Sequence, residues 1–336
     1  MRAMLLRGTA SIETGPLELV DLPTPEPGPG EIRVRVRTCG VCRTDLHVIE
    51  GDLPEQELPI VPGHQVVGTV DAIGEGCEGF AIGDRAGIAW LRGTCGTCAW
   101  CRSGQENLCR ESRYTGYHEN GGYAEHAVVP AAYAYHVPDE FGDLEAAPLL
   151  CAGIIGYRAL QRSGVPAGGR IALYGFGSSA HVVMQLARHR GCTVDVVTRG
   201  EGHRDLARRM GAAWVGDAGE IPPHLADGAI IFAPAGEIVP AALRTVRSGG
   251  TVACAGIYMT PVPELDYDAC LFHEKTLTSV EANTREDGRG LLKEAAEVPV
   301  RARVTEYPLE RANEALIRLK QDGIDGSAVL RVSGTA

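Results

Sequence analysis

Four cysteines, Cys95, Cys98, Cys101 and Cys109, follow the spacing CxxCxxCx7C in a stretch rich in glycine and polar residues. Four thiolates that close together match a tetrahedral zinc site with no open position, a structural rather than a catalytic arrangement. Iron–sulfur ligand runs use other intervals, and the bacterial form ends in Cys-Pro. A second set is dispersed: Cys42 lies in Gly40-Val41-Cys42-Arg43-Thr44-Asp45-Leu46-His47, His64 lies in Gly63-His64-Gln65, and Cys151 stands alone downstream. Singly these are weak signals, because a lone cysteine is usually a small buried hydrophobe and a lone histidine a hydrogen-bonded core residue. Together, two thiolates and one imidazole would give zinc three protein ligands and leave the fourth position for water or substrate. A third constellation, Gly175-Phe176-Gly177-Ser178-Ser179-Ala180, is a GxGxxA turn. Its glycines let the backbone approach a pyrophosphate, and the helix that follows offers N–H groups and a positive dipole end.

These residues need elements to position them. From Glu31 to Arg37 charged and apolar residues alternate with period two, as in a half-buried strand, and turn signals recur at Pro23 to Gly30, Gly51 to Pro54, Pro62-Gly63, Gly74 to Gly79 and Gly83-Asp84. The region up to about Cys151 therefore reads as mostly β. Beyond it the pattern changes to strand Ile171 to Tyr174, glycine turn, helix Ala180 to Ala187, strand Thr193 to Val197, helix Arg204 to Met210, strand Gly228 to Phe232, helix Glu237 to Val246 and strand Thr251 to Ala255. Such alternation means a parallel, doubly wound sheet. Helices around Gly290 to Ala296 and Leu309 to Lys320, then a strand from Ser327 to Val332, form a tail able to rejoin the first region.

Length and composition narrow the function. With 336 residues the chain has room for two domains, and its excess of 43 acidic over 32 basic residues, net charge -11, disfavours nucleic acid as a partner. The longest nearly apolar stretch, Ala146 to Tyr157, is broken by Pro148, Gly153 and Gly156, too short to span a bilayer. No secretory signal is evident, so the expected location is cytoplasmic. Eleven cysteines in a chain this size read as metal ligands and buried thiols, with Cys39, Cys77, Cys192, Cys254 and Cys270 assigned to packing. Only three lysines occur, Lys275, Lys293 and Lys320, and none follows a GxxxxG run, which excludes a P-loop.

The order and intervals of the four-cysteine lobe, the Cys-Arg-Thr-Asp-Leu-His run, the Gly-His pair, Cys151 and the dinucleotide turn resemble zinc-dependent medium-chain alcohol dehydrogenases over essentially the whole chain. The resemblance implies a mixed α/β protein with a GroES-like catalytic domain over residues 1–152, resumed by 287–336, and a Rossmann domain over 153–286. It implies catalytic zinc on Cys42, His64 and Cys151, with Asp45 orienting His64, besides the structural zinc. Thr44 and His47 then resemble a proton relay, and Arg43 matches a position that contacts the cofactor's pyrophosphate. Ala255 and Ile257 match further cofactor positions, while Leu53, Trp90 and Ile257 match substrate-pocket positions. Leu53 stands where the small-alcohol enzyme of yeast has tryptophan, which suggests room for medium-chain or aromatic alcohols and aldehydes. A homodimer or homotetramer is implied as well.

Two features are particular to this chain. Where the family usually has Gly-His-Glu there is Gln65, which removes a negative charge behind the metal and is expected to slow exchange of the fourth ligand. At the end of the second strand of the dinucleotide fold, where an NAD site offers Asp or Glu, stand Thr198 and Arg199, which suit a 2'-phosphate and favour NADP(H). The competing assignment gives the ribose to Asp195 or Glu201; alternation with Val194 and Val196 turns Asp195 to another face. Two other functions remain compatible with the motifs: a reductase of activated C=C bonds on the same scaffold, against which the Thr44 and His47 pair argues, and a non-catalytic zinc- and nucleotide-binding redox sensor.

Overall fold

The computed structural model describes residues 1–333 apart from 55, 218, 299 and 325. The chain divides into two compact units, one of Met1–Cys151 with the segment from Asn283 on, the other of Ala152–Ala282.

The first unit is built on a seven-stranded sheet centred on the long strand Glu31–Val41. Its alternating residues bury Ile32, Val34 and Val36 completely, and one side pairs antiparallel with Val66–Ile73, which continues to Arg85–Ile88 and Ala134–His136. The other edge is shared: His126–Pro130 pairs with its first half and Ser327–Arg331 with its second. The tail thus rejoins the first region, and Val304–Pro308 adds a parallel strand outside it. Val41 passes directly through Cys42 into the helix Arg43–Glu50. That helix was not anticipated from the sequence, and it carries Arg43, Thr44, Asp45 and His47.

The second unit is a six-stranded, all-parallel sheet. Along the sheet the strands run Trp214–Gly216, Thr193–Val197, Arg170–Tyr174, Ala226–Ile231, Val246–Cys254 and Thr276–Ser279. In sequence order this is 3-2-1-4-5-6, the order of a Rossmann fold, with its switch point between Arg170–Tyr174 and Ala226–Ile231. Both neighbours of the switch point are apolar on both faces, as parallel strands covered by helices must be: Ile171, Ala172 and Leu173, and Ala229, Ile230 and Ile231, are fully buried. The helix Ser178–His189 follows the first strand after the glycine turn. Among the described residues no helix is long and apolar enough to cross a membrane.

A clamp within the first unit ties the four-cysteine lobe to the returning tail. Glu106, on the one-turn helix Glu106–Leu108, accepts from the Arg285 backbone N–H at 2.8 Å, from its Nε at 2.9 Å and from its Nη2 at 2.6 Å. Arg285 opens the helix Arg285–Glu297, so the carboxylate also faces a helix N-terminus. The guanidinium lies 4.7 Å from the centre of the Tyr133 ring, whose hydroxyl hydrogen-bonds Thr94 at 2.7 Å. Burial works against the Glu106 charge, but the bonds and charge of Arg285 outweigh it and hold the carboxyl below its ordinary value. A carboxylate whose pKa is lowered by folding stabilises above its unfolded pKa, about 4.3, and that stabilisation is lost as the pH falls through the lower folded value. Glu106→Gln should therefore cost about 1–3 kcal/mol at neutral pH. In urea unfolding followed by tryptophan fluorescence, the gap between variant and parent should close below about pH 4; a gap independent of pH would contradict the ion pair's role.

Candidate metal centre and dinucleotide turn

Cys42, His64 and Cys151 come from three separate segments of the first unit. Cys42 sits where the central strand ends and the helix begins. His64 is held by backbone bonds on both sides: Gly121 N–H to Val61 O at 2.7 Å, Gly122 N–H to Gly63 O at 2.8 Å, and Gly40 N–H to Gln65 O at 2.9 Å. Gly63 has φ +96, and a Cβ there would lie 2.3 Å from the Tyr123 ring and 2.9 Å from Cys39 Sγ, so only glycine lets the chain turn into His64. Cys151 ends the buried turn Ala147–Leu150, whose Leu149 and Leu150 are core residues.

The three ligand atoms converge. Cys42 Sγ lies 3.4 Å from His64 Nε2 and 3.9 Å from Cys151 Sγ, and all three atoms are within 4.8 Å of one another. Zinc–sulfur bonds of about 2.3 Å at tetrahedral angles place sulfurs about 3.8 Å apart, so the donors are already at the separations that zinc requires. Behind them Asp45, 1% exposed, has Oδ1 3.2 Å from His64 Nδ1 while Oδ2 accepts the Cys42 N–H at 2.9 Å. Burial opposes a charge on His64, but Asp45 and Cys42 outweigh it and raise the imidazole to about 10. Pairing with the Cys151 sulfur, together with burial, pushes the Cys42 thiol well up. Two sulfurs and an imidazole backed by a carboxylate make a donor set and a local charge that suit a divalent cation. The donor set therefore fits zinc.

The four-cysteine lobe is equally compact. Cys98 Sγ and Cys101 Sγ are 3.5 Å apart, Cys95 and Cys109 3.6 Å, and Cys95 and Cys101 4.0 Å. The backbone N–H groups of Thr97 and Cys98 pull the Cys95 thiol down to about 6, favouring the thiolate that binds metal, whereas burial raises Cys109 to about 11.

Thr44 and His47 lie one turn apart on the same helix, both half-buried. Arg43, exposed, is paired with Asp322 at 2.5 Å. Trp90 stacks on Tyr114 with ring centres 4.9 Å apart and meets His64 edge-on at 4.9 Å; Tyr117 adjoins it at 5.7 Å. Leu53 packs beside the same core as Trp90. Tyr114, Tyr117 and Tyr123 carried no sequence signal of their own, because only the fold brings the first two to Trp90 and the third to Gly63. Of the cysteines assigned to packing, Cys39, Cys192 and Cys270 are buried, while Cys77 and Cys254 are only half-buried. Gln65 is buried, and its Nε2 has no hydrogen-bond partner among the described residues.

In the second unit, Gly175 to Gly177 form the turn at the carboxyl end of the first parallel strand, and Ser178, Ser179 and Ala180 open the helix. Asp195 is fully buried and takes two bonds from Arg170 Nη1, at 2.9 and 2.8 Å. Glu201 is exposed and engaged by Arg204 and Arg208. Thr198 is buried and Arg199 exposed at the carboxyl end of the second strand, and among the described residues no carboxylate pairs with Arg199. Ala255 donates its N–H to Ile231 O at 2.8 Å, and Ile257 is 50% exposed.

Residues 28–139 match the model of the alcohol dehydrogenase GroES-like domain, and residues 179–297 that of the zinc-binding dehydrogenases. A Mycobacterium tuberculosis protein named "Probable alcohol dehydrogenase AdhA" is 50% identical, over 99% of this chain and 97% of its own. The solved structure of a cinnamyl alcohol dehydrogenase from Sorghum bicolor superposes with a TM-score of 0.89 at 28% identity, covering 100% of this chain and 98% of that one. A zinc-binding dehydrogenase from Sinorhizobium meliloti 1021, solved bound to NADP, gives 0.86 at 26% identity over 98% and 99%. The chain thus belongs to the zinc-dependent medium-chain alcohol dehydrogenases, pairing a GroES-like domain with a Rossmann domain, and is an oxidoreductase of alcohols and aldehydes that uses zinc and a nicotinamide cofactor.

Proposed function

We propose that Cys42, His64 and Cys151 hold the catalytic zinc, that Cys95, Cys98, Cys101 and Cys109 hold a structural one, and that the enzyme interconverts medium-chain or aromatic alcohols and carbonyls with NADP(H). The convergence of three distant ligand atoms at tetrahedral separations over the buried Asp45 carries this reading. When bound, the metal supplies Lewis acidity and the nicotinamide exchanges hydride. The chain's own residues do the rest. Asp45 fixes His64 with Nε2 toward the metal position, Thr44 passes the hydroxyl proton inward to outward, and His47 releases it. Leu53 and Trp90 supply an apolar lining in the first unit, and the cinnamyl alcohol dehydrogenase likeness supports an aromatic substrate.

For the cofactor, Gly175, Gly177, Ser178, Ser179 and Ala180 of the second unit cradle the pyrophosphate and Ala255 and Ile257 flank the nicotinamide end; Arg43, on the first unit's helix, carries a guanidinium able to bind phosphate. NADP(H) is favoured because Asp195 and Glu201 are already engaged by arginines while Thr198 and Arg199 stand at the strand end.

The test is a count of zinc per chain with turnover of butanal and benzaldehyde by NADPH and by NADH, the assembly being read from the mass of the same preparation as a homodimer or homotetramer. Two zincs and faster NADPH oxidation are expected; a preference for NADH would discard the Thr198 and Arg199 assignment. Two zincs without turnover would discard the substrate class. Asp45→Asn should weaken zinc binding about 10–100-fold, measured by chelator competition. Gln65→Glu restores a carboxylate behind the metal and should change turnover by about 3–10-fold; identical rates and pH profiles would remove any role for the amide.

A further inference from the structure

We propose that Glu201 restrains the enzyme's selectivity for NADP(H): its carboxylate competes with the adenosine 2'-phosphate for the guanidinium of Arg204, a second cation at that end of the dinucleotide site. The inference rests on the reading of Thr198 and Arg199 as the residues that meet the 2'-phosphate, and it concerns the second unit alone.

The strand Thr193–Val197 runs out through Thr198 and Arg199 to Gly200, whose φ of 80 lets the chain turn sharply into the helix Glu201–Arg209. Glu201 is thus the first helical residue after the strand end, and it is 64% exposed. Helical side chains lean toward the helix N-terminus, so Arg204 and Arg208, further along the same face, reach back to it. Glu201 Oε2 accepts from Arg204 Nη2 at 2.7 Å and Nε at 3.2 Å, and Oε1 accepts from Arg208 Nη1 at 3.0 Å. The remaining nitrogen of Arg204, Nη1, donates to Asp217 Oδ2 at 2.9 Å. Asp217 directly follows the strand Trp214–Gly216, and Gly216 O takes the Thr198 N–H at 3.0 Å. Arg204 is therefore held over the carboxyl ends of these two neighbouring strands, the region where a dinucleotide fold places the adenosine ribose.

The charges at this end are unevenly committed. Arg199 is exposed and pairs with no carboxylate among the described residues, whereas Arg204, 20% exposed, has its donors taken by two. Arg208 is shared between Glu201 and Asp205, which it meets at 2.7 Å. Three carboxylates, Glu201, Asp205 and Asp217, thus face two guanidinium groups, and the excess negative charge has the wrong sign for a phosphate. Bonds from Arg204 and then Arg208 hold the Glu201 carboxyl below its ordinary value, so it is ionised throughout the neutral range.

Ion pairs as exposed as that of Glu201 are individually weak, and a phosphate offers a guanidinium two parallel charge-assisted bonds. Binding of a 2'-phosphorylated nucleotide therefore exchanges partners: Arg204 Nε and Nη2 leave Glu201 for phosphate oxygens, while Nη1 stays on Asp217. A nucleotide with a free ribose hydroxyl needs no such exchange. Glu201 thus acts against NADP(H) and not against NAD(H), and it keeps the preference below what Arg199 and Arg204 would give together.

The experiment is titration calorimetry on the zinc-loaded full chain with adenosine 2',5'-bisphosphate and with 5'-AMP, which differ only by the 2'-phosphate, so binding is read without turnover. Parent, Glu201→Gln, Arg204→Gln, the double variant and Arg199→Gln are compared. Glu201→Gln should tighten the bisphosphate about fivefold and leave 5'-AMP within about twofold. The gain should fall below about twofold in the Arg204→Gln background, and should shrink when salt is raised to about 0.5 M. Unchanged bisphosphate binding in Glu201→Gln, or a gain that persists undiminished without Arg204, would overturn the inference. So would a loss of 5'-AMP affinity alone, since Glu201 would then be holding the ribose hydroxyls. If Arg199→Gln weakens the bisphosphate while Glu201→Gln changes nothing, the inference fails and the reading of Thr198 and Arg199 stands. If the parent binds both nucleotides equally and Arg199→Gln alters neither, that reading fails and the inference falls with it.

Discussion

The buried carboxylate of Asp45 is the interaction on which the first unit's chemistry depends. A charge almost wholly removed from water costs several kcal/mol unless other groups replace its hydration. Here one oxygen takes the Cys42 N–H at the start of a helix and the other faces His64 Nδ1. Tyr123 lies fully buried beside it, and burial followed by the Asp45 charge keeps its phenol protonated. Each satisfying group is itself positional: the helix N-terminus fixes Cys42, and the Gly63 turn fixes His64. The energetic need to satisfy one carboxylate and the geometric need to converge two ligands are therefore met by the same contacts.

That coupling explains what the sequence disclosed and what it withheld. The alternation at Glu31 to Arg37 and the strand–helix rhythm after Cys151 are local patterns, and the strand Thr193–Val197 appears with the expected bounds. Asp195, which alternation with Val194 and Val196 turns to another face than theirs, is buried against Arg170. The ligand residues themselves were legible from type and order, and the structure brings both sets together. The helix Arg43–Glu50 was not legible, because its Thr44, Val48 and Ile49 are β-branched and its start is set by a capping carboxylate, not by periodicity. Nor was the clamp of Glu106 on Arg285 across 179 positions, which no window of sequence contains. Asp52 stood in the sequence only as part of a turn, and its contact with His47 depends on which side chain the turn returns to.

The two cysteine-rich sites were equally visible in the sequence yet are built on opposite physical plans. In the lobe the four ligands span fifteen consecutive positions, and backbone N–H groups of the loop itself already favour the Cys95 thiolate. Its geometry needs little beyond that loop and the Glu106 clamp. The three-ligand site instead draws on residues separated by 22 and 109 positions from Cys42, so its spacing exists only when the central strand, the Gly63 turn and the Leu149–Leu150 core are in place. Loop closure over such separations is costly, and the packed core must offset it. A site assembled this way is held from behind by buried side chains, Asp45 and Gln65, while the helix that carries Thr44 and His47 runs on to Asp52, half-exposed at its far end. That asymmetry, buried groups behind the three donor atoms and an exposed carboxylate beside His47, keeps the contacts that hold the donors apart from the side open to water.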